Sequence, residues 1–278
     1  MSQAYRVLES FYGGWNKPEA AKWRDKRLAV EKQMPRSDET LMLRAGDHEQ
    51  LGELKKAERL YRRSVEMARE GADPVDSQLF GAMSGLASFY ERTGRSSEAE
   101  GVFLELLSLC ESVSESHPEY LHNVHRSLAH LYDKTGRVEL ALVYFENAVE
   151  LGARQDRDVL GYDLIALGDF YMKTTRYRQA LEPYQQALAL LEAVHGTESL
   201  LTTNATFRLA KCYVALGRDV EAEPMLVRTI ETLQRTRGPL DPFLRSSQKM
   251  YSDLLRRRSE SEEPEAKGAG SPDSAIEP

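Results

Sequence analysis

Cysteine is nearly absent: Cys110 and Cys212 are the only two in 278 residues. Two are too few for a disulfide framework or a metal knuckle. Both stand among apolar residues in helical patterns, so they read as small buried hydrophobes. A cysteine-poor chain fits a reducing compartment. Long apolar runs are also missing. No stretch approaches the roughly 18 residues that a membrane span requires, and Arg6, Glu9 and the Gly13-Gly14 pair interrupt any signal-peptide core. The expectation is a cytoplasmic protein with no membrane partner.

Phosphate-binding signatures are absent too, with no Gly-x-Gly-x-x-Gly and no Gly-Lys-Ser/Thr. His48-Glu49 opens a zinc-protease pattern, but Gly52 stands where the second histidine belongs. His122 and His125 have the i, i+3 spacing of a helical metal pair. The repeat register described below sends His125 to a packing face and His130 to the opposite one. No metal, cofactor or catalytic residue is therefore assigned. An excess of positive charge is lacking as well. Of the net charge of -7, residues 259–278 supply most, with six acidic residues against one lysine. The rest is nearly neutral, although Met1 to Arg36 is locally basic. Such a body lacks the cations that nucleic-acid binding demands.

What the chain does contain is internal repetition. Leu86-Ala87-Ser88-Phe89-Tyr90-Glu91-Arg92-Thr93-Gly94-Arg95 returns as Leu128-Ala129-His130-Leu131-Tyr132-Asp133-Lys134-Thr135-Gly136-Arg137. Further copies run from Leu167 to Arg176 and from Leu209 to Arg218. Each precedes a second element with a small residue in fixed phase, at Ala99, Ala141, Ala180 and Ala222. A large residue follows four positions later: Phe103, Phe145, Tyr184 or Leu226. Two fainter copies lie upstream, one through Gly52, Ala57 and Tyr61, the other through Leu8, Tyr12, Ala21 and Trp23, with Asn16 at the glycine position.

Each copy reads as a helix pair. Leu128, Ala129 and Tyr132 fall at i, i+1, i+4 on one helical face. The small residue admits a close partner helix. Gly136 suits the left-handed residue that ends the helix, and Leu140, Ala141, Tyr144, Phe145, Ala148 and Leu151 form the facing stripe. Asp73-Pro74 and Ser116-His117-Pro118 are start signals. Ser97 with Glu100 has the spacing of a capping box, and Pro183 and Pro224 read as early helix positions. Met34-Pro35-Arg36-Ser37 is a break, and nothing points to strands. Residues 1–36 form a worn helix pair and 37–258 the array, closed by a capping helix from Pro242 to Arg258. Residues 259–278 form a tail whose composition argues for disorder.

These units resemble the tetratricopeptide repeat, in the roughly 42-residue form of kinesin light chains and many bacterial relatives. The resemblance rests on the Leu-Ala/Gly-x-x-Tyr core, the Gly-Arg turn, Glu221-Ala222-Glu223-Pro224, and the Gly238-Pro239-Leu240-Asp241-Pro242 linker. It covers about residues 4 to 258. It implies an all-α, right-handed superhelix (an α-solenoid) of about six helix pairs plus the cap, whose first helices line a concave groove. One departure bears on function. Kinesin light chains share an asparagine pair before the Leu-Ala motif, where this chain has Arg126-Ser127, Ile165-Ala166 and Phe207-Arg208.

The face of each first helix left over from packing supplies the candidate site. It contains Ser84 and Ser88, then Asn123, Arg126 and His130, then Tyr162, Ile165, Asp169 and Met172. Last come Asn204, Phe207 and Lys211, with Val214 beyond. The apolar members concentrate toward the C-terminal end. That pattern suits a pocket for side chains of a peptide or helix, flanked by polar groups. The expected function is a non-enzymatic protein-interaction scaffold. The alternatives are a ligand- or peptide-responsive regulator and a self-assembly module that forms homo-oligomers.

Overall fold

The computed structural model describes residues 18, 22–26, 29, 38–70 and 76–266, apart from the side chains of 38 and 261–266. From Asp38 onward it is a succession of eleven helices, with no strand among the described residues. They are α1 (Asp38–Gln50), α2 (Leu54–Arg69), α3 (Ser77–Arg92), α4 (Ser96–Ser112), α5 (Pro118–Lys134) and α6 (Val138–Gly152). There follow α7 (Arg157–Lys173), α8 (Tyr177–His195), α9 (Leu200–Ala215), α10 (Asp219–Thr236) and α11 (Pro242–Ala266). The chain divides into two compact units, residues 1–137 and 138–278. In the first, α1 to α5 each pack on the next helix in sequence; in the second, α6 to α11 do the same. Most of the faint copy through Leu8, Tyr12 and Ala21 lies outside the described residues, as do Asn16, Met34 to Ser37 and Asp73-Pro74.

The small residues explain why neighbouring helices pack so closely. Ala57, Ala99, Ala141, Ala180 and Ala222 are all fully buried, and so are Ala87, Ala129 and Ala210 of the first helices. Alanine gives up no side-chain entropy on helix formation and keeps the axes near each other. The larger partners fill the space left beside them. Phe103, Leu106, Leu128, Leu131, Leu191, Leu209 and Leu226 are each at most 2% exposed. Both cysteines are buried, and burial pushes each thiol up to about 11, so they act as core residues.

The Tyr-x-x-x-Gly-Arg spacing has a backbone cause. In the first copy Arg95 N donates to Tyr90 O at 2.8 Å while Gly94 N donates to Glu91 O at 3.2 Å. This crossed pair is the Schellman closure, and it requires a left-handed residue at the glycine. Gly94, Gly136 and Gly217 accordingly have φ of 77°, 74° and 70°. In the third copy the same pair of bonds forms, but Thr175 holds φ 60°. A β-branched residue in that region is strained.

In the three glycine-closed copies the arginine that follows the turn takes one direction. Arg95, Arg137 and Arg218 lie over the rings of Tyr90, Tyr132 and Tyr213 at 4.5, 4.3 and 4.7 Å. From there Arg137 donates to both Glu100 oxygens at 2.8 Å, and Tyr132 OH donates to the same carboxylate at 2.9 Å. Arg95 and Tyr90 hold Glu58 in the same way, at 2.7 and 3.1 Å. Each clamp ties a first helix and its turn back to the second helix of the preceding pair. The expected capping box at Ser97 therefore does not form. Arg95 is the N-cap residue of α4, with no side-chain cap bond, and Glu100 is taken by the clamp.

Other end signals match in part. Asp76, Asp156 and Ser199 cap α3, α7 and α9 through side-chain oxygens, and Pro118 occupies the first turn of α5. Pro183 and Pro224 sit inside α8 and α10, beyond the first turn where proline costs nothing. The last helix continues to Ala266, past Arg258, and residues 267–278 lie outside the described residues.

Two predictions follow from these turns and clamps. Thr175→Gly should stabilise the chain by about 0.5–1 kcal/mol, because relief of left-handed strain exceeds the added unfolded-state entropy of glycine. Urea unfolding checks it, and an unchanged or lowered midpoint would contradict the strain argument. Glu100→Gln should cost roughly 1 kcal/mol at pH 7. The Arg137 hydrogen bonds hold the Glu100 carboxyl below its ordinary 4.5, against the opposing effect of burial. A depressed folded pKa contributes stability above the unfolded value and loses it as pH falls through the folded one. The gap between variant and wild type should therefore close below pH 4.5, measured by the same unfolding at stepped pH.

A cleft at the C-terminal end of the second unit

Helices α7, α8, α9 and α11 enclose a cleft of about 740 Å³. Its walls include Asp169, Met172, Lys173, Tyr177, Tyr184, Asn204, Phe207, Arg208, Lys211, Val214, Phe243 and Met250. The lining is built by helical periodicity. Asn204, Phe207, Arg208 and Lys211 follow one face of α9 at steps of three and four, and Phe243 and Met250 stand two turns apart on α11.

At the floor is a local exception to the repeat. The third copy has Gly168 where the others have alanine, and Tyr184 where the first two have phenylalanine. A Cβ on Gly168 would lie 2.5 Å from Cε1 of Tyr184. The ring has moved into the space an alanine would fill. Its hydroxyl then donates to Asp169 Oδ1 at 2.6 Å, and Arg208 pairs with the other oxygen of the same carboxylate. Arg208 Nε also donates to Asn204 Oδ1 at 2.7 Å. Burial first, and the Asp169 charge second, push the Tyr184 hydroxyl well above its usual pKa, so it remains a donor throughout the working range.

The rim is basic. Lys173, Arg208 and Lys211 face one carboxylate, Asp169, across the lining. Lys173 and Lys211 are exposed, and Lys211 has no ion-pair partner among the described residues. The wall is aromatic and thioether-rich, with Phe207 and Phe243 meeting edge to face at a centroid distance of 5.0 Å. Half-buried aromatic and methionine surface adapts to varied apolar side chains. Nothing in the lining pairs a nucleophile with a base. Among the described residues no three His, Cys, Asp or Glu side chains converge as metal ligands.

Of the groove residues read from the sequence, Asp169, Met172, Asn204, Phe207 and Lys211 come together here. Phe207, read as exposed, is half-buried because α11 packs against it. Tyr162 is 45% exposed and Ile165 half-buried on α7, and neither lines the cleft. Ser84, Ser88, Asn123, Arg126 and His130 belong to α3 and α5 of the first unit. There Arg126 and His130 are exposed and the other three half-buried. Sequence reading missed Tyr177, Lys173, Phe243 and Met250. It named Tyr184 only as a packing residue and Arg208 only as a departure. The replacement of Phe by Tyr at 184, coincident with Ala to Gly at 168, was the available signal.

Fold and site together define a helix-pair repeat protein with an open cleft on its first-helix face. Sequence profiles of the tetratricopeptide repeat match residues 82–115, 127–151 and 163–235. The matched residues are tetratricopeptide repeats, and the fold is that of kinesin-light-chain-like repeat arrays. Comparison with curated proteins returns no significant match. Several solved structures share the fold. One is that of the nearly identical TPR-like repeats of a Podosopora anserina protein described as a kinesin light chain. It has 19% identity and TM-score 0.62, covering 72% of this chain and 97% of that one. BtubC (BKLC) from P. vanneervenii has 22% identity and TM-score 0.60, covering 80% and 94%. Aspartyl phosphate phosphatase F from Bacillus subtilis has 16% identity and TM-score 0.65, covering 86% and 62%. Among the described residues no helix is long and apolar enough to cross a membrane.

The Gly168–Tyr184 fit generates a packing prediction. Gly168→Ala should destabilise by about 1–3 kcal/mol, as overpacking does. Adding Tyr184→Leu, which reproduces the Ala210 and Leu226 pairing of the next copy, should recover part of that loss relative to Tyr184→Leu alone. A double-mutant cycle on unfolding free energies measures the coupling. Strict additivity would show that the two positions do not compete for space.

Proposed function

We propose that the chain is a non-enzymatic scaffold that binds a peptide or helix of a protein partner in the cleft between α7, α9 and α11. The carrying observation is the composition of that cleft. Aromatic and methionine walls of roughly peptide-side-chain dimensions stand beside two exposed lysines and an arginine already oriented by Asp169. Such a site offers apolar burial for anchors and cations for carboxylates of the bound segment. The tetratricopeptide fold supports the reading, since its solved neighbours include the TPR-like repeats of a protein described as a kinesin light chain. The buried free thiols of Cys110 and Cys212 are in keeping with a reducing, cytoplasmic setting.

Affinity capture with mass-spectrometric identification, run in parallel on wild type and Lys211→Glu, tests the site. Lys211 is exposed and unpaired among the described residues, so its reversal should leave the unfolding midpoint within about 0.5 kcal/mol. A partner enriched by the wild type should be depleted at least tenfold with the variant. Phe207→Ala should deplete it too, but with a loss of stability, because the ring packs on Phe243. Identical partner sets for wild type and both variants would remove the cleft from consideration.

A further inference from the structure

The second helices of the pairs carry very unequal charge. Helix α2 has six basic residues against two acidic ones, whereas α4 has four glutamates and no basic residue. Helices α6, α8 and α10 are all net negative, so α2 is the exception. Its cations point outward. Lys55, Lys56, Arg59, Arg62, Arg63 and Arg69 are exposed, while Ala57, Tyr61, Ser64, Val65 and Ala68 form the buried face. Lys56, Arg62, Arg63 and Arg69 have carboxylate partners, but no described residue pairs with Lys55 or Arg59.

Helices α2 and α4 lie side by side in the first unit and run in the same direction. Arg95, at the N-cap of α4, pairs with Glu58, and Arg69 pairs with Glu105, at sequence separations of 37 and 36. Between the two helices is a groove of about 460 Å³ floored by Val65, Leu86 and Tyr90. Its α4 rim is cut low at Gly101, where the other second helices have Arg59, Val143, Glu182 and Pro224. A glycine inside a helix costs stability against alanine. A Cβ on Gly101 would meet nothing within 4 Å, so packing within the chain does not require it. One turn further on, Leu104 is 41% exposed.

A basic helix beside an acidic one is self-complementary about a two-fold axis laid along the groove. Such an axis places α2 of each copy over α4 of the other, pointing the same way. We propose that two copies of the chain associate through this face of the first unit. Gly101 admits the close approach of the partner's α2, and Leu104 is covered by it. A uniformly anionic surface, whether membrane or nucleic acid, fits less well. It would meet Glu98 and Glu105 on one rim of the groove directly across from Arg62 and Arg69 on the other. A partner bearing both signs satisfies both helices. Two helices about 24 Å long and 10 Å wide present roughly 500 Å² per copy, against about 800 Å² in a standard interface. The dimer is therefore weak, with a Kd on the order of 100 μM. The face shares no residue with the cleft of the second unit, so the scaffold reading is neither assumed nor required.

Sedimentation equilibrium of the full chain from about 10 to 500 μM is the test. Wild type should follow a monomer–dimer equilibrium that weakens as salt is raised. One variant carries Lys55→Glu, Arg59→Glu and Arg63→Glu on α2; another carries Glu98→Lys, Glu105→Lys and Glu111→Lys on α4. Each set turns its helix from a net charge of four of one sign to two of the other. Alone, each variant should be monomeric. Mixed in equal amounts they should form a one-to-one dimer, because both contacts about the axis then join opposite charges. Circular dichroism checks that each variant folds, and the rescue itself demands folded partners. Gly101→Gln should raise the melting temperature of dilute protein and weaken the dimer about tenfold. The proposal is overturned by a wild type that stays monomeric across the range, by charge variants that dimerise alone, or by a mixture that does not. Species larger than a dimer would contradict the two-fold arrangement, and an undiminished Gly101→Gln dimer would move the contact off the groove. Co-sedimentation of a monomeric wild type with phosphatidylserine vesicles would assign the cations of α2 to a lipid surface and overturn the dimer.

Discussion

Everything in the array depends on one left-handed residue per helix pair. A Schellman closure needs positive φ at its fifth position, and Gly94, Gly136 and Gly217 supply it without cost. The closure hands the chain into the next helix at a fixed angle. It also fixes where the following arginine begins. From that starting point the guanidinium lies on the tyrosine of its own helix and, in the first unit, reaches a glutamate one helix earlier. A local backbone requirement is thereby converted into a contact 37 residues distant in sequence. The strain accepted at Thr175 shows how firmly the geometry is imposed: the two crossed bonds form there as well.

The clamp is not uniform. Glu58 and Glu100 stand one position after the buried alanines Ala57 and Ala99, and the equivalent positions after Ala141 and Ala180 are Leu142 and Leu181. In the second unit the tyrosines turn instead to residues one helical turn further on. Tyr171 donates to Glu146 at 3.4 Å, and Gln185 donates to the Tyr213 hydroxyl at 2.9 Å. At the last helix the clamp position is used again, with Glu223 pairing to Arg258 at 3.4 Å. The cleft lies in the stretch where the glutamate is missing. There the charged pairing has moved across to the opposite side of the first helices, as Asp169 with Arg208.

How much of this could be read from the residues alone follows from which interactions repeat. Helix pairs, their order and the buried second-helix alanines were legible because they recur in four copies, and the glycine turn because it recurs in three of those four. The glutamate clamp was not. It appears fully in only two copies, and Glu100 has an equally good local explanation as a capping-box residue. Helical phase alone brings Asp169, Met172, Asn204, Phe207 and Lys211 to one cleft. Phe243 and Met250 were invisible because α11 is the one helix without a counterpart to compare. Its packing against Phe207 is a tertiary fact with no period.

The third copy carries the sharpest lesson. Gly168 and Tyr184 depart from the consensus together, and each departure alone looks like drift. A glycine inside a helix costs about 1 kcal/mol against alanine, and a buried tyrosine hydroxyl needs a partner. Taken jointly they describe a single rearrangement: the ring moves into the missing Cβ and its hydroxyl reaches Asp169. That bond leaves Asp169 with one oxygen for Arg208, and Arg208 in turn orients Asn204. Two residues chosen for packing thus fix the polar floor of the cleft. In a repeat array the consensus positions hold helices together. The positions that break consensus in a correlated way are the ones that shape a surface unlike its neighbours.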